Sequence, residues 1–222
     1  MFDYEHLKTI KATTLDTGRT YHTPDGDMPS ITTVLGKTAN MPWLQKWKDK
    51  VGEEEAARIS KLATDRGEKV HKYAEDYFNG IDILPELVND YEYIDIQNMT
   101  RNLIKATEAG VTEIWGQEMA LYHPDLKYAG RVDMVGLWKG EPAIIDFKTS
   151  KKKKTSSSIG DYYIQCAGYA AAHNKLFNTR INKLVILITV ENDDVQVYEG
   201  KTIYSLPHLK NRVAMYYRLF PY

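Results

Sequence analysis

Asp133, Asp146 and Lys148 are the residues of this chain best placed to do chemistry. They lie in residues 128–150, YAGRVDMVGLWKGEPAIIDFKTS, among β-branched and large apolar side chains. The pattern reads as a β-hairpin, with one arm over 131–138, turn residues at 139–142 (KGEP) and a second arm over 143–149. A loop of those four residues sets Trp138 opposite Ala143, Asp133 opposite Lys148 and Asp146 opposite Val135. Side chains alternate along a strand, so both carboxylates and the ammonium share one face. Diagonal neighbours there have Cβ atoms roughly 7–8 Å apart, close enough for two carboxylates to hold one cation. A plain Asp–Lys ion pair on an exposed face accounts for the same letters. A carboxylate buried in an apolar strand needs a partner or a metal, and carboxylate oxygens suit Mg²⁺ or Mn²⁺.

Further groups would have to reach such a site from neighbouring elements. Residues 53–79 carry an apolar stripe of Ala56, Ile59, Ala63, Val70, Ala74, Tyr77 and Phe78 at helical steps, which Gly67 divides into two helices. His71 follows Gly67 by one turn, on the edge of that stripe; alone it reads as a structural histidine. Residues 112–122 read as a strand turned by HPDLK. Simple pairing sets its Glu118 opposite Val132, and a bulge at Ala129-Gly130 would bring it opposite Asp133. Without that bulge Glu118 is a strand-face charge. Residues 161–177 read as a helix on which Gln165 and Tyr169 share a face; on their own they are a buried tyrosine and a capped glutamine. Lys151, Lys152, Lys153 and Lys154 make either a solvated loop or a phosphate clamp beside the hairpin.

Asp133, followed thirteen residues on by Asp146-x-Lys148, resembles the core of the PD-(D/E)XK nucleases. The flanking residues are most similar to the RecB-like branch, in particular the mitochondrial genome maintenance exonuclease and its phage-borne relatives, over about residues 19–169. The resemblance implies an α/β fold, a central mixed β-sheet flanked by helices. It implies that His71, Glu118, Asp133, Asp146 and the carbonyl of Phe147 hold Mg²⁺ or Mn²⁺. Asp133, Asp146, Lys148 and Glu118 would then be the catalytic set, with Lys148 orienting water or stabilising charge. Gln165 and Tyr169 match a Gln-x-x-x-Tyr helix that contacts DNA near the site. The segment Pro29-Ser30-Ile31-Thr32-Thr33 matches a lead-in whose Ser30 and Thr32 touch a DNA phosphate, and Lys151 and Lys152 join that DNA-binding set.

The remaining chain reads as support. Residues 1–28 suggest a hairpin with arms at 10–15 and 19–23 around DTG, and TPDGD marks the next turn. Gly36-Lys37-Thr38 is no phosphate-binding P-loop, because Ile31 stands where that motif requires glycine; Ser30 reads instead as a helix cap. Residues 94–109 form an amphipathic helix ending at Gly110, residues 184–190 and 195–198 extend the sheet, and 207–219 close the chain as a helix. The reading is one nuclease domain over 1–222, mainly helical over 1–110, with the sheet core over 111–222.

Composition narrows the function. With 222 residues the chain can bury a sizeable core, and its net charge of −1 confines any grip on nucleic acid to local basic patches. The single Cys166 excludes a disulfide framework within the chain, a four-cysteine zinc site and an iron–sulfur cluster of the four-cysteine kind. No apolar run is long enough to span a membrane, and the acidic start lacks a targeting pattern, which points to the cytoplasm, the host cell's if the source is a phage. The expected activity is a metal-dependent DNA exonuclease preferring single-stranded ends, with recombination or replication proteins as partners. An endonuclease of the same fold and a non-catalytic nucleic-acid-binding module are the alternatives. Trp43, Trp47 and Tyr73 are expected to line a passage for a single strand.

Overall fold

The computed structural model describes residues 2–39, 42–83 and 94–221, the side chain of Trp43 excepted. Trp43 as a lining group and the connector proline Pro85 therefore lie outside the described residues. After a short helix α1 (Glu5–Lys8) come three strands, β1 (Ala12–Leu15), β2 (Gly18–Thr23) and β3 (Gly26–Pro29), in an antiparallel meander. Sequence signals predict only the first hairpin. Gly26, with φ +101°, turns the chain back at TPDGD and adds the third strand. Helix α2 (Ile31–Thr38) then starts where expected, its Ser30 cap accepting a hydrogen bond from the Thr33 N–H at 2.9 Å. Gly36, Lys37 and Thr38 form its last turn, and no phosphate loop is present there.

Helix α3 (Pro42–Val51) leads into α4 (Glu53–Phe78), which runs unbroken through Gly67. A glycine inside a helix costs only about 1 kcal/mol, and a Cβ on Gly67 would meet the Thr149 hydroxyl at an ordinary contact distance of 3.7 Å, so packing does not demand the glycine. Helix α5 (Ile94–Glu108) and the strand β4 (Val111–His123) follow, then the hairpin of β5 (Tyr128–Trp138) and β6 (Glu141–Ser150). Helix α6 (Gly160–Phe177), strands β7 (Lys183–Val190) and β8 (Gln196–Lys201) and helix α7 (Thr202–Leu219) complete the chain. Helix α7 begins ahead of the predicted Pro207 because Asn182 holds its start: the Asn182 carbonyl accepts from the Thr202 N–H at 2.8 Å and its side chain from the Ile203 N–H at 3.3 Å.

Strands β4 to β8 form a five-stranded sheet in sequence order, antiparallel except for the parallel pair β6–β7. Alternation sorts its side chains onto two cores. Ile144, Leu184, Ile186 and Ile188 pack with Cys166, Ala167 and Ala170 of α6, and with Leu209 and Val213 of α7. Ile145, Phe147, Val185 and Leu187 pack with Val70 and Ala74 of α4, and with Ile96, Met99 and Leu103 of α5. The fold is the expected α/β one, a mixed sheet flanked by helices on both faces.

The hairpin register differs from the predicted one. Trp138 pairs with Glu141, not Ala143, so the loop is Lys139 and Gly140 alone, at φ +50° and +81°. Two successive positive-φ residues make a turn whose twist matches the strands, so Glu141 and Pro142 join β6. The ladder runs to Met134 opposite Ile145, and its next step brings Asp133 opposite Asp146 rather than Lys148. Because the shift is two residues, no side chain changes face.

Candidate active site

The site forms where β5 and β6 separate. Beyond Met134 the backbone ladder stops, and the Asp133 carboxylate takes its place, accepting from the Phe147 N–H at 2.7 Å. Its other oxygen lies 3.4 Å from Nδ1 of His71, which α4 brings over this edge of the sheet. Glu118 arrives from β4. Gln117 pairs with Met134 and Met119 with Val132, so Glu118 falls opposite Asp133 as the bulged register required. No bulge at Ala129-Gly130 produces this. The register is constant from Gln117 to His123, and the irregularities lie at Val111/Glu113 and Ile114/Gly116. Gly130 serves close packing instead: a Cβ there would sit 2.8 Å from the Tyr169 ring and 3.0 Å from Ile31.

Glu118 adopts φ +47°, a left-handed conformation rare outside glycine, asparagine and aspartate. Arg131 donates to the Glu118 carbonyl and holds that turn of backbone. Among the described residues, His71, Glu118 and Asp133 form a group whose ligand atoms all lie within 4.8 Å of one another. They line a cleft of about 420 Å³ with Arg19, Glu75 and Arg131.

Asp146 and Lys148 stand beside this group, held from α6. Gln165 Nε2 donates to Asp146 Oδ1 at 3.2 Å and to the Tyr169 hydroxyl at 2.9 Å. The Lys148 ammonium lies 2.5 Å from Asp146 Oδ2 and 5.3 Å from the centre of the Tyr162 ring. The ammonium is out of line with Oδ2, which is buried and left with charge contact but no hydrogen bond.

The electrostatics suit a divalent cation. Burial, then the charge of Asp133, push the Glu118 carboxyl up to about 7. Burial raises Asp146 to about 6, with Asp133 adding and Lys148 opposing. Burial would raise Asp133 as well, but His71, Lys148 and the Phe147 N–H outweigh it and hold it below its ordinary value. Burial lowers His71, and Asp133 more than reverses this. Two crowded carboxylates and an imidazole, with the Asp146 carboxylate beside them, are a donor set that suits a hard divalent cation.

The other sequence-derived residues fall as follows. Tyr169 is 3% exposed and orients Gln165 from inside the core, so it offers no outer surface. Ser30, 2% exposed, is spent on capping α2, while Thr32 is exposed and bonded to the Ser30 hydroxyl at 2.9 Å. Lys151 and Lys152 are exposed at the end of β6; Lys153 pairs with Asp193 at 2.9 Å. Trp47 is half-buried, and Tyr73 packs against the α4–α5 core rather than standing free in a passage. Arg131, Tyr162 and Arg19 were missed. Arg131 lies two residues before Asp133 on one strand, so alternation alone could have marked it. Arg19 has no local signal.

No protein-family model matches the chain. Among characterised proteins it is similar to three called mitochondrial genome maintenance exonuclease 1. The Xenopus tropicalis protein is 28% identical over 185 residues, 77% of this chain and 51% of that protein. The Mus musculus protein is 29% identical over 160 residues, 66% of this chain and 44% of that protein. The Homo sapiens protein is 26% identical over 175 residues, 75% and 50% of the two chains. The chain thus spans about half the length of the curated relatives it matches. A solved structure from Eubacterium rectale superposes with a TM-score of 0.46 at 12% identity, over 69% of this chain and 66% of that one, too loosely to carry an argument. The resemblance read from the motifs is met by similarity to the same exonuclease group over most of this chain.

Proposed function

We propose that this chain is a divalent-metal-dependent nuclease that hydrolyses phosphodiester bonds in DNA, working from the ends of single strands. The observation that carries this reading is the group of His71, Glu118 and Asp133 within 4.8 Å, set beside Asp146 and Lys148. His71, Glu118 and Asp133 would hold Mg²⁺ or Mn²⁺, with Asp146 and the Phe147 carbonyl adjoining. When bound, such an ion acts as a Lewis acid on the phosphoryl oxygens and makes water a better nucleophile at neutral pH. The chain's own residues do the rest. Gln165 fixes one oxygen of Asp146, and Lys148 offers a fixed ammonium to the charge that grows on the phosphate. Burial of these groups strengthens each interaction and limits reorganisation during the reaction.

DNA as substrate follows from similarity to proteins named for genome maintenance. The single-strand preference is part of the proposal and rests on the resemblance to the exonuclease group. The test is cleavage of end-labelled oligonucleotides, single- and double-stranded, linear and circular, with Mg²⁺ or Mn²⁺. Linear single strands should be degraded far faster than linear duplex, and closed circles should survive. Rapid nicking of closed circles would mark an endonuclease. Binding without metal-dependent cleavage would mark a non-catalytic module.

A further inference from the structure

We infer that Arg19, on the N-terminal meander, is the residue that anchors a backbone phosphate of the substrate strand, and that the strand enters the cleft from its side. This rests on the nuclease reading of the site. Arg19 lines the cleft together with His71, Glu118 and Asp133, although more than fifty residues separate it from the nearest of them in sequence. Its position is fixed from several directions. Its N–H donates to the Thr33 hydroxyl at 3.0 Å, and its carbonyl accepts from the Ser30 N–H at 2.8 Å, both at the start of α2. Its Nε donates to Thr14 Oγ1 at 3.1 Å across the β1–β2 pair. The two terminal nitrogens have no hydrogen bond or ion pair among the described residues. A guanidinium held at Nε with its outer edge open is preorganised for a phosphate.

The other cations around the cleft are engaged. Lys72 lies 2.5 Å from Asp76, Arg131 is bonded to the Glu118 carbonyl, and Lys148 faces Asp146. On the far side of Glu118 and Arg131 opens a larger groove of about 1180 Å³. Its walls carry Asp3, Glu5, Glu75 and Glu113, and its Lys8 is paired with Glu5 at 2.9 Å. Carboxylates line both openings, Glu68 and Glu75 on the Arg19 side among them, but only on that side does a polyanion meet a guanidinium whose outer edge is open. A strand laid over Arg19 reaches the metal group and meets mostly carboxylates beyond it, which suits attack at an end.

The experiment measures binding of a fluorescent single-stranded oligonucleotide by anisotropy across a salt series, with Ca²⁺ in place of Mg²⁺, for the whole chain and its variants. Arg19 is exposed, so Arg19→Gln should melt like the wild type. Arg19→Gln should weaken binding about tenfold, the low end for losing a charge-assisted hydrogen bond. The slope of log K against log salt should shrink by about 0.7, one phosphate's worth for a single strand. Under turnover the same variant should raise KM with little change in kcat, as loss of uniform binding does. Arg19→Lys should recover the slope and only part of the affinity. Lys8→Gln, in the acid-lined groove, should change neither. Wild-type affinity and slope in Arg19→Gln would overturn the assignment while leaving the nuclease reading intact, and so would a Lys8→Gln loss as large as that of Arg19→Gln. A wild type that neither binds nor cleaves any oligonucleotide would overturn both.

Discussion

The two halves of the candidate site are built differently. The half held by α6 is dry: Asp146 is 0% exposed, Cys166 and Tyr169 lie behind it, and Gln165 and Lys148 hold its two oxygens. The half held by α4 is open: His71, Glu118 and Asp133 are all partly exposed and line a cleft. The dry half has its counter-charge built in, as Lys148. The open half sets two carboxylates against one imidazole, with Lys148 and Arg131 offsetting them from outside the group. A fold gains nothing from crowding Glu118 against Asp133, and Glu118 sits in a left-handed backbone conformation as well. Such features persist where a ligand uses them. We propose that the α6 half positions charge and the α4 half binds the cation.

The sharpest way to break that division is Asp146→Asn, which keeps the shape and removes the charge. Cleavage of a linear single strand should fall below detection, a loss of at least about 10³-fold, while the protein stays folded. An active Asp146→Asn enzyme would end the account of the dry half. Lys148→Ala comes next. It should lower turnover by two or more orders of magnitude, on the scale of one electrostatic stabiliser, roughly 2.7–4 kcal/mol, and leave oligonucleotide affinity nearly unchanged. An equal fall in affinity would make Lys148 a phosphate anchor and move it into the open half's role.

How much of this division could be read from the sequence depended on range. Asp133, Asp146 and Lys148 were legible because strand alternation is a local rule, and the two-residue register error cost no face. That error arose because KGEP looks like a four-residue loop, whereas Lys139 and Gly140 close the hairpin by backbone conformation alone. Gly67 reads as a helix breaker, yet the helix runs through it, because one glycine costs less than the apolar stripe on either side gains by packing. His71 and Glu118 needed the family resemblance, since a histidine on a helix edge and a glutamate on a strand are ordinary by themselves. Arg19 was illegible: its place in the cleft depends on how the meander docks against α2 and β5, and no periodicity encodes that. Tyr169 on its own reads as a buried tyrosine, which is where it sits; only the resemblance makes it a DNA contact.

The smallest expected effect lies deeper on the dry side and concerns acid. His173 of α6 is fully buried between Tyr4, 2.8 Å from Nε2, and Thr179, 2.8 Å from Nδ1. Burial pushes its pKa down to about 4. The folded state thus resists a proton that the unfolded state accepts near 6.5, and stability falls as pH drops from about 6.5 to about 4. Urea unfolding of the wild type and His173→Gln should show the wild type losing up to about 3 kcal/mol relative to the variant between pH 7 and pH 4. A pH-independent difference would mean that His173 is not held neutral.

The central claim, that the open half is a cation site, is tested most directly by locating a cation. Crystals soaked in Mn²⁺ and measured at its absorption edge should show an anomalous peak among His71, Glu118 and Asp133, absent from crystals of Asp133→Asn. No peak there at saturating Mn²⁺, or a peak only elsewhere on the molecule, would contradict the account.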